Sequence, residues 1–257
     1  MITKLRNLVW FLKRPHLMPQ VWYLFIRKFR PGIVAMDSTG DEALRWCRQS
    51  EVDMVTAYRK LTNQEPPAPI LDLYSDVFAN AEKVTSACVV RMGGAGAVDM
   101  LYWISEYLQA TRILETGVAY GWSSLAFLLS IEHRPEGKLV SVDMPYVGMN
   151  NDEHIGCAVP DSLRAQWTLL KTSDRQGVPA VLRKLGTLDI CHYDSDKSYQ
   201  GRMWAYPLLW NALRSGGIFV SDDIGDNVAF RDFCASLKID PVVFKYNGKF
   251  VGMMTKP

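Results

Sequence analysis

The 257 residues are 48% hydrophobic and 22% charged, which is enough apolar material for one sizeable core plus a modest extension and excludes wholesale disorder. No run of about 18 uninterrupted apolar residues occurs, which argues against a membrane-spanning helix. The net charge of +2 is unevenly spread: residues 1–36 hold seven bases and no acid, and the remainder holds 22 bases and 27 acids.

The basic segment (Lys4, Arg6, Lys13, Arg14, Arg27, Lys28, Arg30) is interleaved with Trp10, Phe11, Trp22, Tyr23, Phe25 and Phe29 and divided by Pro15, Pro19 and Pro31. Its apolar run is too short for a signal-peptide core. Three readings stand: helices packing their aromatics on the chain's own domain, an interfacial anchor on anionic lipid, or a contact with a second copy through residues 1–30. Nucleic acid is not expected, because the bases are few and the rest of the chain is acidic. Five scattered cysteines (Cys47, Cys88, Cys157, Cys191, Cys234) contain no Cys-x-x-Cys pair, as in a reducing cytosol. The expected location is cytoplasmic, with peripheral contact at the inner membrane face under the lipid reading.

Residues 40–62 read as helical, Glu65–Pro69 as a breaker, and residues 70–90 as ambiguous. We expect a helical extension over 1–80 and a second unit over 81–257. Met92–Gly96 reads as a loop, followed by a helix over 97–110. Strands and helices then alternate: strand 112–115, helix 123–132, strand 138–143, a polar loop 145–160, a short helix 162–165, strand 166–171, helix 178–185, strand 188–194, helix 199–213, strand 218–222 and helix 228–237. Such alternation predicts an α/β fold, a parallel sheet covered on both faces. The chain ends differently, in runs 241–246 and 249–255 joined by Asn247-Gly248, a strong hairpin signal.

The segment RILETGVAYG (Arg112–Gly121) takes an apolar strand into an acid, a glycine turn and a helix, and KLVSVD ends the next strand on Asp143. A dinucleotide fingerprint needs a middle glycine for pyrophosphate approach. Here Val118, Ala119 and Tyr120 separate Gly117 from Gly121. S-adenosylmethionine has a sulfonium, an ammonium and a ribose diol but no phosphate, so acids beside the turn suit it. Glu115 is assigned to the methionine end, Asp143 to the ribose hydroxyls and Gly117 to close backbone approach. Tyr120 and Gly121 complete the turn, and Ser123 or Ser124 caps the helix.

With HYDSDKSY (His192–Tyr199) and GGIFVSDD (Gly216–Asp223), these segments resemble class I S-adenosylmethionine-dependent methyltransferases. Within the class they are similar to the catechol-type O-methyltransferases and to the O-methyltransferases of natural-product and polysaccharide clusters. The resemblance covers roughly residues 90–257. It implies a Rossmann-like, mostly parallel seven-stranded sheet ending in an antiparallel hairpin. It also implies adenine contacts at Ser173-Asp174, where Thr172 replaces a frequent glycine.

Methyl transfer holds acceptor, methyl carbon and sulfur in line and helps the acceptor lose a proton. Asp194, Asp222 and Asp223 end strands that share one edge, and three such carboxylates can hold Mg²⁺ or another divalent cation. The catechol-type family uses a matching cluster, with Asn common at the position of Asp223. The alternative has Asp194 orienting a ligand while Asp222 and Asp223 cap a loop. Lys197 matches a catalytic lysine of that family and can act as general base, or it can stay a cation in an ion pair. Asp196 is a second base candidate, and His192 reads as a satisfied strand residue. Loop 145–160 reads equally as a substrate lid or a solvated insertion, and Trp122, Trp204 and Trp210 as helix packing. The expected function is O-methylation of a small-molecule or sugar hydroxyl. The alternative is a cofactor-binding structural subunit of a membrane-associated assembly.

Overall fold

In the computed structural model, which describes residues 2–27 and 35–257, an eight-stranded sheet has the order β1-β7-β8-β6-β5-β2-β3-β4. The strands are β1 (Glu51–Val52), β2 (Arg112–Thr116), β3 (Lys138–Val142), β4 (Trp167–Leu170), β5 (Leu188–Tyr193), β6 (Leu213–Ser221), β7 (Val242–Tyr246) and β8 (Lys249–Thr255). Only β8 runs antiparallel, pairing with both β6 and β7. The parallel body and closing hairpin agree with the sequence expectation. The eighth strand is an addition: Glu51 and Val52 pair in parallel with Val243 and Phe244. A two-residue strand is too short to show a period-2 pattern, so only its partner reveals it.

The core follows the pleat. Ile113, Leu139, Ile190 and Ile218 face one layer, while their neighbours Leu114, Val140, Cys191 and Phe219 face the other. The first layer is covered by α7 (Val98–Leu108) and α8 (Trp122–Ile131), the second by α9 (Asp174–Leu185), α10 (Tyr199–Ala212) and α11 (Ala229–Leu237). Both faces are therefore sealed, as a parallel sheet requires.

The N-terminal part holds α1 (Ile2–Leu12), α2 (Met18–Arg27), α3 (Gly40–Ser50), α4 (Met54–Thr62), α5 (Ile70–Leu73) and α6 (Ser75–Ser86). The ambiguous stretch 70–90 is thus mostly helical. Residues 40–86 are not a detached extension. Ala57, Tyr58, Ile70, Phe78 and Ala81 are buried in the main core, and Cys47 lies in the opposite layer. Lys28, Phe29, Arg30 and Pro31 of the basic segment lie outside the described residues. Among the described residues no helix is long and apolar enough to cross a membrane.

Candidate active site at the strand ends

Register places the chemistry. Thr116 is level with both Val142 and Tyr193, and Tyr193 with Ser221. The next residues, Gly117, Asp143, Asp194 and Asp222, therefore form a row past the C-terminal ends of β2, β3, β5 and β6. Each donates its backbone N–H to a neighbouring strand: Gly117 to Val142 (2.9 Å), Asp143 to Leu170 (3.1 Å), Asp194 to Thr116 (2.8 Å) and Asp222 to Tyr193 (3.0 Å). Ligands of open α/β sheets bind at this edge.

A cavity of about 590 Å³ opens there, lined by Gly117, Asp143, Ser173, Asp174, Asp194 and Lys197 among others. Five acids (Asp143, Asp174, Asp194, Asp196, Asp223) face three bases (Arg175, Lys197, Lys249) on its wall. Asp143 Oδ2 accepts from the amides of Val118 (3.1 Å) and Ala119 (2.9 Å). Those N–H groups would cradle a phosphate in a dinucleotide fold; in this chain a carboxylate already takes them. Burial pushes the Asp143 carboxyl up to about 6, against these amide bonds. Asp174, which accepts from Ser195 Oγ at 2.5 Å, is pushed by burial up to about 7. Gly117 has φ +79°, and a Cβ there would collide with the Asp194 carbonyl. Its glycine is thus required by the neighbouring strand end as well as by the open cavity.

Several predicted residues lie elsewhere. Glu115 lines neither cavity. It is fully buried beneath the row, where Oε2 accepts from Ser124 Oγ (2.5 Å) and Ser141 Oγ (2.6 Å). Ser124 is therefore used by Glu115 rather than as a cap, and the N-cap is Gly121 (φ +95°) with no side-chain bond. Tyr120 points away, its hydroxyl donating to the Val90 carbonyl (2.9 Å) and accepting from the Met92 amide (3.2 Å). It tethers the loop before α7. Ser123 lines a second cavity of about 290 Å³, with Gly93–Ala97, Trp122, His192, Asp222 and Asn247. Gly93, Val118, Ala119, Asp194, Asp223 and Lys249 border both cavities, so the two are adjacent.

Lys197 lines the larger cavity, beside Asp194 and Asp223, which border both. Its ammonium pairs with Asp194 and, at 3.0 Å, with Asp223. Lys249 reaches Asp223 at 3.0 Å from β8. Burial lowers the Lys197 pKa, outweighing the acids around it. Asp223 is held below the usual carboxylate range, because Lys197 and Lys249 outweigh its burial. Asp222 turns instead toward His192. The expected triad is therefore divided, and among the described residues no three acidic, histidine or cysteine side chains are grouped to hold a cation. A divalent ion does not fit this arrangement, since the Lys197 ammonium pairs with both Asp194 and Asp223 while Asp222 faces His192.

His192 departs from the satisfied strand residue expected. It is buried, and neither ring nitrogen has a hydrogen-bond partner. Nδ1 lies 3.6 Å from Glu115 Oε1 and Nε2 lies 3.7 Å from Asp222 Oδ1. Burial opposes a charged ring, but the two carboxylates prevail and lift its pKa to about 9. A column of ionisable side chains, Glu115–His192–Asp222, thus runs from the core to the second cavity.

Sequence reading missed two contributors. Arg202 on α10 is fully buried and donates to the Asp223 carbonyl (2.7 Å) and the Asp222 carbonyl (3.3 Å). It clamps a turn in which Asp223 has φ +54°. Arg175 lies over the rings of Tyr23 (3.8 Å) and Trp204 (4.5 Å), forming a cation–π wall of the larger cavity. Trp204 therefore lines the site, while Trp122 stacks on Phe78 and Trp210 packs in the core. The loop 145–160 is clasped by the N-terminal arm: Arg14 pairs with Asp152 (2.6 Å), and Trp10 Nε1 donates to the Met149 carbonyl (3.0 Å). The arm's aromatics carry no sequence signal for these contacts, because their partners are more than 100 residues away.

The sequence profile of a methyltransferase-domain family matches residues 114–224. Among solved structures, the chain is similar to an O-methyltransferase from Bacillus cereus in complex with S-adenosylhomocysteine. The two share 13% identity at a TM-score of 0.58 over 73% of this chain and 95% of that one. It is also similar to the O-methyltransferase TomG from Streptomyces achromogenes, involved in tomaymycin synthesis and solved with S-adenosylmethionine. That pair shares 16% identity at a TM-score of 0.56 over 74% and 97% of the two chains. At such identities the likeness is one of fold. Among curated proteins, none matches the sequence.

Proposed function

We propose that this chain, a methyltransferase of the class I fold, binds S-adenosylmethionine across its strand ends and transfers the methyl group to a hydroxyl of a small molecule or sugar. The observation that carries the reading is the cavity wall: five acids at the strand ends and turn amides already taken by Asp143. With its turn amides taken and its acids in excess of its bases, such a wall offers a pyrophosphate no cradle and suits a cationic, phosphate-free ligand. Asp143 is assigned to the ribose diol, Ser173 and Asp174 to the adenine end, and Asp194 with the Gly93–Gly96 loop to the methionine end. Gly117 keeps the floor open. Tyr120, Gly121, Ser123 and Glu115 act one step back, by shaping the turn and the column beneath it.

Bound there, the cofactor supplies an electrophilic methyl on a sulfonium, with a thioether as leaving group. The chain's task is to align an acceptor oxygen and take its proton as the C–O bond forms and the C–S bond breaks. Lys197 lines the larger cavity and pairs with Asp194 and Asp223, which border both cavities. Its lowered pKa eases the loss of a proton from the paired ammonium, and the neutral amine so formed takes the acceptor's proton. Asp194 and Asp223 then hold the ammonium that results. No step is routed through a divalent ion, because Lys197 occupies the position between the carboxylates.

Transfer of label from methyl-labelled S-adenosylmethionine to a panel of phenols, catechols and sugars tests the proposal, with and without a strong chelator. The account predicts transfer to at least one hydroxyl acceptor, undiminished by chelator. Lys197→Met should lower kcat by about a hundredfold or more with cofactor affinity retained. Chelator-sensitive turnover would overturn the metal-free mechanism, and full activity in Lys197→Met would overturn the assignment of Lys197 as proton acceptor.

A further inference from the structure

The N-terminal arm buries only one of its faces. Trp10, Phe11 and Leu17 turn inward, with Val21, Met144 and Val147 packed against them. The outward face carries Leu8, Val9 and Leu12 on α1 and Met18, Trp22 and Phe25 on α2, with Leu12 63% and Trp22 65% exposed. Residues 18, 22 and 25 follow i, i+4, i+7 spacing, so they form one stripe. Trp22 and Phe25 stack on it, their centroids 5.8 Å apart. The inward faces already satisfy the need for packing, so folding does not account for this second apolar face.

Charge indicates what covers it. The first 36 residues hold seven bases and no acid. Arg6 on α1 and Lys13 just after it are exposed. Two arms meeting face to face would bring Arg6 and Lys13 of each copy together, with no acid in residues 1–36 to offset them. An apolar, aromatic stripe flanked by bases instead matches an anionic lipid interface, where the rings enter the headgroup boundary and the bases meet phosphates.

We propose that the outer face of α1 and α2 is a docking surface for an anionic bilayer. The inner face of the same arm contributes Gln20 and Tyr23 to the larger cavity. Docking would therefore set the cavity mouth beside the lipid–water boundary. The proposal does not depend on the reaction assigned above.

Co-sedimentation of the full chain with vesicles tests it, using phosphatidylcholine alone and equal parts phosphatidylcholine and phosphatidylglycerol. The mixed vesicles should be bound at least about tenfold more tightly, with affinity falling as salt rises. The double variant Leu12→Glu/Trp22→Glu should lose binding, and Arg6→Glu/Lys13→Glu should weaken it while leaving the apolar face intact. Both alter exposed positions, and an unchanged circular dichroism spectrum confirms folding. Failure of the wild-type chain to bind mixed vesicles would overturn the proposal, as would undiminished binding by the Leu12/Trp22 variant. A dimer in sedimentation velocity that this variant dissociates, without any vesicle binding, would assign the face to a second copy and equally overturn it.

Discussion

His192 shows how much a single residue's role depends on what the fold places around it. In the sequence it is one alternating position of an apolar strand. In the sheet it is level with Glu115 and Val220, and lies between two carboxylates. Its pKa is raised above that of an unfolded histidine, so the ion pair stabilises the fold fully below about pH 6.5. That contribution disappears as pH rises through about 9. His192→Gln should therefore cost about 3 kcal/mol at pH 6 and much less at pH 9.5, measured by chemical denaturation. An equal loss at both pH values would mean that the ring acts by packing alone. Asp143 and Asp194 were legible as residues of the strand-end cavity because each follows a strand, where register needs no side-chain detail, and Lys197 through the family resemblance. Glu115 was misplaced because inward and outward directions at a strand end differ by one residue, and a single sequence does not mark which side is covered.

At the scale of elements, the turn after β6 is held from α10. Asp222 and Asp223 present their side chains to different partners because Arg202 fixes both carbonyls from inside. Arg202→Met should destabilise the protein by about 3 kcal/mol and lower turnover even where folding is restored by lower temperature. A variant with wild-type melting and kinetics would contradict the clamp. Gly117 joins β2 to α8 at a left-handed φ with no room for a side chain. Gly117→Ala should cost cofactor affinity at least about tenfold through strain at the floor, read by calorimetric titration. The alternating elements from residue 112 onward were readable because each carries its own period and breaker. The start of α9 at Asp174 and of β6 at Leu213 lay earlier than their apolar runs suggest. Tertiary pairing extends an element into residues whose own pattern is polar.

Across the whole molecule, the boundary between arm and body lies earlier than composition indicates. Residues 40–86 share the main core and supply β1, whereas α1 and α2 rest on loop 145–160 through a few contacts such as Arg14–Asp152 and Trp10–Met149. Deleting residues 1–36 should leave a folded, cooperatively melting protein with weakened cofactor binding, since Gln20 and Tyr23 leave the cavity wall. Deleting residues 1–80 should abolish soluble folding, because it strips Tyr58, Ile70 and Phe78 from the core. Thermal melts of both truncations check this. The charge asymmetry along the chain was legible at once, but not which faces of the arm it accompanies, since Pro15 and Pro19 reset the helical phase between α1 and α2. Among the strand-end acids, Asp143 is the one this account assigns to the methyl donor alone. Calorimetric titration of the full chain with S-adenosylmethionine, beside NAD⁺ and beside Asp143→Ala, tests that most directly. The account predicts one S-adenosylmethionine per chain, no heat with NAD⁺, and at least about tenfold weaker binding in the variant. Binding of NAD⁺, or S-adenosylmethionine binding indifferent to Asp143, would contradict it.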